Sequence, residues 1–233
     1  MKCKITNSEM EPFMSFGKMP IANGFLKEEE FDKEFFFNLD VGFSEKICLF
    51  QLKDHPTPDQ MFNDKYPFFT GSSEAMKSHF KKYADFIKKN YVRNNSKIIE
   101  IGSNDGTFLN NFKNSNLEYV GFEPSSNVAK IANQNKIRTL NQFFGIGSLN
   151  SVKNFIKQTD VIFAANVICH VPNLIGLIKA VDQLLSKEGV FIFEEPYLGS
   201  MFEKTSYDQI YDEHIFIFSA TSVKRIFNMF DMQ

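Results

Sequence analysis

From residue 97 onward the chain alternates short apolar runs with amphipathic segments. "KIIEIG", "EYVGFE", "TDVIFAAN" and "GVFIFEEP" read as strands, and "IRTLNQFF" (137–144), shorter on apolar residues, reads as a further one. Residues 107–114, "SSNVAKIANQN", "LIGLIKAVDQLLSKEG" and "FSATSVKRIFNMF" read as helices. Strands that are apolar along their whole length belong in a sheet covered on both faces. Joined by helices, they predict an α/β fold with a parallel sheet. Upstream, Met76, Phe80, Tyr83, Phe86 and Ile87 recur at helical spacing over 73–91, with Ser72 and Ser73 as N-caps. Residues 1–52 are less regular. Gly17, Pro20 and Gly24 interrupt them before "FFFNLDVGF" and "ICLFQL" read as short strands. The turn cluster "KDHPTPDQ" (53–60) separates a small N-terminal segment, 1–55, from a main domain, 56–233.

Composition narrows the function class. At 43% hydrophobic the chain can bury a real core, and a net charge of −2 supplies no basic face for nucleic acid. Cys3, Cys48 and Cys169 are few and scattered, which suits a reduced, cytoplasmic protein. The N-terminus lacks the apolar run of a secretory signal, and "VIFAANVICHV" is too short to span a bilayer. A soluble protein with no membrane partner is expected.

"EIGSNDG" is the first chemical signal. A glycine-rich turn between strand and helix lets backbone N–H groups approach a ligand. Gly102 and Gly106 do not have the spacing of a dinucleotide fingerprint, which disfavours an NAD-dependent oxidoreductase. Glu100 precedes the turn and could accept from an amino group or a hydroxyl. Glu123, about 20 residues on at the end of the second strand, is placed for a ribose diol. A zwitterion-tolerant turn with a ribose-binding acid points to S-adenosylmethionine, and the alternative is a tight turn with a capping acid and no ligand. "NVICH" puts Asn166 and His170 at the end of the fourth strand, where such sheets bind ligands. "YDEH" (211–214) sets a phenol, two carboxylates and an imidazole side by side ahead of apolar "IFIF", where polar groups are costly unless hydrogen-bonded or useful.

Together, "MFNDKYPFFTGSSEAMKSHF", "EIGSNDGTFL", "GFEPSSNVA", "ANVICHVPNL", "EEPYLG" and "YDQIYDEHIFIFSATSV" resemble the sugar C-methyltransferase family, which methylates carbon 3 of nucleotide-linked 4-keto-deoxysugars. The resemblance implies a class I methyltransferase fold, an N-terminal zinc-binding segment and a C-terminal Rossmann-like domain. It implies that Gly102, Asn104, Asp105, Gly106 and Glu123 line the cofactor. It also assigns His214 as the base for the C3 proton, with Tyr211 and Glu213 orienting it or binding substrate. Asn166 would face the cofactor, and His170 would hydrogen-bond the enolate or a sugar hydroxyl. O-methylation of a sugar or another small polar acceptor is the alternative within enzymes. A non-catalytic S-adenosylmethionine-binding or interaction module is the alternative outside them.

Two departures from the family set further expectations. Its two Cys-x-x-Cys pairs would fall on Cys3 and Thr6 and on Ser44 and Ile47, leaving one ligand of four, so no zinc is expected. The chain stops where the last two strands of the family's sheet would begin. It is therefore expected to be a truncated form, with "GVFIFEEP" an edge strand that pairs in a homodimer or with a second polypeptide.

Overall fold

The computed structural model describes residues 1–113 and 115–232. Along the chain run β1 (Pro12–Pro20), β2 (Phe36–Ser44), β3 (Leu49–Leu52), α1 (Pro58–Met61), α2 (Glu74–Tyr91), β4 (Lys97–Ile101) and β5 (Glu118–Phe122). Then follow α3 (Ser126–Gln134), β6 (Thr139–Leu140), β7 (Thr159–Ala165), α4 (Leu174–Leu184), β8 (Leu185–Glu194), α5 (Leu198–Lys204), β9 (Phe216–Ile217) and α6 (Ala220–Phe227). These form two compact units. One comprises Met1–Met61, Asn166–Ile175 and Glu195–Gln233, and the other Phe62–Ala165 and Gly176–Glu194.

The second unit carries the parallel sheet, in the order β6-β5-β4-β7-β8. Central β4 pairs with β5 on one side and β7 on the other. Its Ile98, Ile99 and Ile101 are buried, as a strand covered on both faces requires. Phe108 stacks on Phe163 with ring centroids 4.0 Å apart, and Phe80 of α2 meets both rings edge-on. α2 begins where Ser73 Oγ accepts the Met76 N–H at 3.3 Å. Met76 and Tyr83 pack against this core with Phe80 and Ile87, so these positions of the α2 stripe are packing, while Phe86 of the same stripe is exposed. β8 lies at the edge of the sheet, as expected for 189–196.

The first unit is built on the antiparallel sheet β1-β2-β3-β9. Phe37, Leu39, Val41, Phe50, Leu52, Ile210 and Ile217 form its core.

The α/β reading holds, with local corrections. Residues 12–20 form a nine-residue strand that the sequence reading leaves irregular; β1 is mostly exposed and its register shifts on either side of Met14–Ser15, so it shows no alternation. The helix read over 107–114 is a 3-10 turn, Leu109–Phe112, and residue 114 lies outside the described residues. The helix from Leu174 stops at Leu184, and Leu185 already pairs with Thr159. "IRTLNQFF" contributes only Thr139–Leu140 as strand. "IFIF" supplies β9, which pairs with β3 near the N-terminus.

Candidate functional site

At the end of β4 the backbone turns through left-handed conformations at Gly102 (φ 67°), Asn104 (φ 48°) and Gly106 (φ 81°). Such φ values suit glycine and, next best, asparagine. A Cβ on Gly106 would also stand 3.0 Å from Ile137 Cγ2. Around the turn sit three buried carboxyls. Glu123 accepts the Asn104 N–H at 3.0 Å through Oε2 and the Ser125 N–H at 2.7 Å through Oε1. Each oxygen keeps a lone pair for a further donor. Burial raises its pKa, against the pull of those N–H groups. Glu100 is buried, and its Oε2 has no hydrogen-bond partner. Burial, then Glu123 and Asp105, push its carboxyl well above the usual range.

Asn104 and Asp105 spend their side chains on the preceding segment. Asn104 Oδ1 accepts the Thr70 N–H at 2.8 Å and its Nδ2 donates to the Phe68 carbonyl at 3.2 Å. Asp105 Oδ2 accepts the Gly71 N–H at 2.7 Å, while Oδ1 takes the Thr107 hydroxyl at 2.6 Å. Asn127 donates to the Tyr66 carbonyl at 2.8 Å. Residues 66–71 are thus strapped to the glycine turn and to α3. The turn fits a nucleoside-type ligand: it offers an orphaned buried carboxyl oxygen, a second carboxyl with accepting capacity, and left-handed backbone at Gly102 and Gly106.

In the other unit, residues 166–170 form a tight turn beginning at Asn166, which is exposed and left-handed (φ 54°). Glu195 holds this turn, accepting N–H groups from Val167 (2.9 Å), Ile168 (2.7 Å) and Cys169 (3.3 Å). Burial outweighs those bonds and pushes its pKa up to about 7. His170 Nδ1 meets the Glu213 carbonyl at 2.6 Å and His214 Nδ1 meets the Gln209 carbonyl at 2.8 Å. A carbonyl only accepts, so in the neutral His214 ring Nδ1 carries the proton and Nε2 the lone pair, while His170 also hydrogen-bonds the Asn166 backbone. The two imidazoles stack with centroids 5.3 Å apart, and the Tyr211 ring lies 4.4 Å from that of His214. Burial, then His170, lower His214 to about 4; burial lowers His170 as well. Both rings are therefore neutral at neutral pH.

Glu213 Oε1 accepts from Asn23 Nδ2 at 2.6 Å, and burial raises its carboxyl. Asp212 Oδ1 accepts the Ala22 N–H at 3.2 Å, and burial pushes its pKa up to about 6. Burial, then Glu213, raise Tyr211. The structure thus brings together Tyr211, Glu213, His214 and His170 in one unit, and Glu100, Gly102, Asn104, Asp105, Gly106 and Glu123 in the other. Asn166 belongs with the histidines. Sequence reasoning missed Glu195 and Asn23. Glu195 leaves a trace, an acid at the end of an apolar strand beside a second one; Asn23 leaves none.

In the N-terminal segment, Cys3 Sγ accepts from the Thr6 N–H at 3.4 Å and from Gln51 Nε2 at 3.4 Å. The same amide reaches Met10 Sδ at 3.4 Å, while its Oε1 accepts the Lys4 N–H at 2.8 Å. Gln51 is fully buried, so a side-chain amide ties this segment together.

Residues 76–233 match a family described as "Methyltransferase domain", and residues 3–62 match one described as "Putative zinc binding domain". The chain is 26% identical over 216 residues to C-methyltransferase NovU of Streptomyces niveus, covering 92% of this chain and 51% of that protein. It thus spans about half the length of that relative. In fold it is similar to a SAM dependent methyltransferase from Archaeoglobus fulgidus, with TM-score 0.54 and 17% identity over 67% of each chain. It is equally similar to the plantazolicin methyltransferase BamL, solved with a triazolic desmethylPZN analog and SAH. There the TM-score is 0.54 and the identity 15%, over 67% of this chain and 62% of that one.

Proposed function

The chain belongs to the methyltransferase-domain family, and on that premise we propose that it is an S-adenosylmethionine-dependent C-methyltransferase. Its acceptor is the carbon beside the ketone of a nucleotide-linked 4-keto-deoxysugar. The observation that carries this reading is the anchored imidazole of His214, a neutral base with a defined lone pair. Its Nδ1–H is committed to the Gln209 carbonyl, so Nε2 is the proton acceptor.

Carbon methylation beside a ketone needs a base for the α-proton and a donor for the enolate oxygen. His214 takes the proton, and Tyr211, with its phenol protonated, is the donor to the enolate oxygen. A pKa of about 4 makes His214 a weak thermodynamic acceptor, so enolate stabilisation must carry much of the step. Glu213 and His170 fix the pair: the Glu213 carbonyl orients His170, and the Glu213 carboxyl is itself held by Asn23. S-adenosylmethionine supplies an electrophilic methyl group. Glu123 would bind its ribose hydroxyls, Glu100 its amino group or a hydroxyl, and the Gly102–Gly106 turn its amino-acid end. The 26% identical relative, named a C-methyltransferase, supports carbon as the acceptor.

The test is incubation with S-adenosylmethionine and a nucleotide-linked 4-keto-6-deoxysugar in heavy water, followed by NMR of the sugar. A methyl group in place of the hydrogen on the carbon beside the ketone is expected in the product, and solvent deuterium at that carbon in the sugar left unmethylated. A methyl group on oxygen, or no binding of S-adenosylmethionine at millimolar concentration, would overturn the proposal.

A further inference from the structure

One side chain beside the two imidazoles has no part in the methyl transfer proposed above. Cys169 is fully buried. Its sulfur and one ring nitrogen from each of His170 and His214 all lie within 4.8 Å of one another. Among the described residues this is the one group of three or more His, Cys, Asp or Glu side chains that converge in this way. We propose that Cys169, His170 and His214 form a binding site for a divalent transition metal, Zn(II) by preference, distinct from anything in the N-terminal segment.

Two imidazole nitrogens and a thiolate sulfur are a donor set that selects Zn(II) and its neighbours over magnesium or calcium. Bonds of about 2.0–2.3 Å place tetrahedral ligands about 3.3–3.8 Å apart, so the cluster has to contract by about 1–1.5 Å at most. The surroundings are those of metal-binding histidines. His214 is held through Nδ1 by the Gln209 carbonyl, the outer-shell contact that fixes tautomer and orientation, and His170 is oriented by the Glu213 and Asn166 backbone. Glu195 supplies the matching feature for the sulfur, since it bonds the Cys169 backbone and interacts with its thiol. A thiolate alone is disfavoured here, because burial and Glu195 raise the Cys169 thiol well above its ordinary range. The ion reverses that balance. Zn(II) replaces the thiol proton, which leaves to solvent, and its two positive charges face one thiolate and one carboxyl.

A functional consequence rests on the proposed methyl transfer. An ion on His214 occupies the lone pair that would take the substrate proton, so occupancy makes zinc a reversible inhibitor.

The experiment uses the whole chain, stripped with chelator and exposed to ZnCl2 or CoCl2 at micromolar free metal before gel filtration. One metal per chain is expected, both in the wild type and in the double variant Cys3→Ser, Cys48→Ser, where Cys169 is the sole thiol. That variant loaded with cobalt is expected to show a thiolate-to-cobalt charge-transfer band and tetrahedral visible bands. No retained metal, unsaturable uptake from adventitious surface binding, or retained cobalt without the thiolate band would each overturn the site. None of these readouts needs methyl transfer, so they stand even if the catalytic proposal fails. Zinc should lower turnover in the wild type and not in Cys169→Ala; turnover unchanged in the metal-loaded wild type would overturn the inhibitory role.

Discussion

The carboxylate of Glu195 accepts the backbone N–H of Ile168 at 2.7 Å, and with it those of Val167 and Cys169, so one half-buried side chain caps the turn that presents His170. Removing it leaves three donors without their acceptor, two of them on the buried residues Ile168 and Cys169. Glu195→Ala should therefore cost about 2–5 kcal/mol of stability. Glu195→Gln, which keeps one accepting oxygen, should cost less. Urea unfolding of the three proteins checks this; equal midpoints and slopes would mean the turn holds itself.

At the glycine turn, Glu123→Ala should weaken S-adenosylmethionine binding by about 10–150-fold, the equivalent of losing about 1.5–3 kcal/mol of charge-assisted hydrogen bonding. Because Glu123 also ties Asn104 and Ser125, Glu123→Gln is the control that keeps part of the local scaffold. Calorimetric titration reads the affinity, and an unchanged value in both variants would remove Glu123 from the cofactor.

His214→Asn should lower turnover by about 10²–10⁴-fold, the usual contribution of a positioned general base. The asparagine amide can still donate toward the Gln209 carbonyl but cannot take a proton. Cofactor affinity should be unaffected. Steady-state kinetics with isotope exchange into the acceptor locates the loss at proton removal, and wild-type exchange in the variant would exclude His214 as the base.

Glu100 sets a pH dependence of stability. Its native carboxyl is held well above the usual range by burial, Glu123 and Asp105, so the folded chain retains a proton that the unfolded chain releases above about pH 4–5. The contribution of this group is fully present below the unfolded pKa and is lost as pH rises through the native one. Glu100→Gln removes that dependence. Thermal unfolding at about pH 5 and about pH 8 should show the wild type losing more stability than the variant between them. Parallel losses would show that Glu100 ionises in the fold without penalty.

Gln51→Leu should destabilise the first unit by about 1–3 kcal/mol, because the Lys4 N–H loses its acceptor while Cys3 and Met10 lose their contact with the amide. Chelator should leave the unfolding midpoint of Cys169→Ala, which lacks the proposed metal site, unchanged if the amide alone holds the segment. A drop on chelation that tracks Cys3→Ser would instead place a metal there.

The sequence by itself determined the parallel sheet, because Ile98, Ile99, Ile101, Val161, Ile162 and Phe163 are apolar on both faces and leave only a doubly covered strand as their place. It determined the glycine turn as well, since Gly102 and Gly106 occupy backbone conformations that other residues enter at a cost. The polar string 211–214 stood out because it is followed directly by apolar residues, and all of Asp212, Glu213 and His214 are in fact buried. What each of those groups does was decided only by tertiary structure. Hydrogen bonds such as Asn23 to Glu213 join residues 190 apart, and a side chain's partner at that distance leaves no periodic trace. The same holds for β9, two residues long, whose strand character comes from pairing with β3 rather than from its own pattern. The direction of each pKa follows from burial, which depends on the packing of many segments at once. A histidine in a sequence is a base near neutrality, and it took the fold to make His214 a neutral, oriented one.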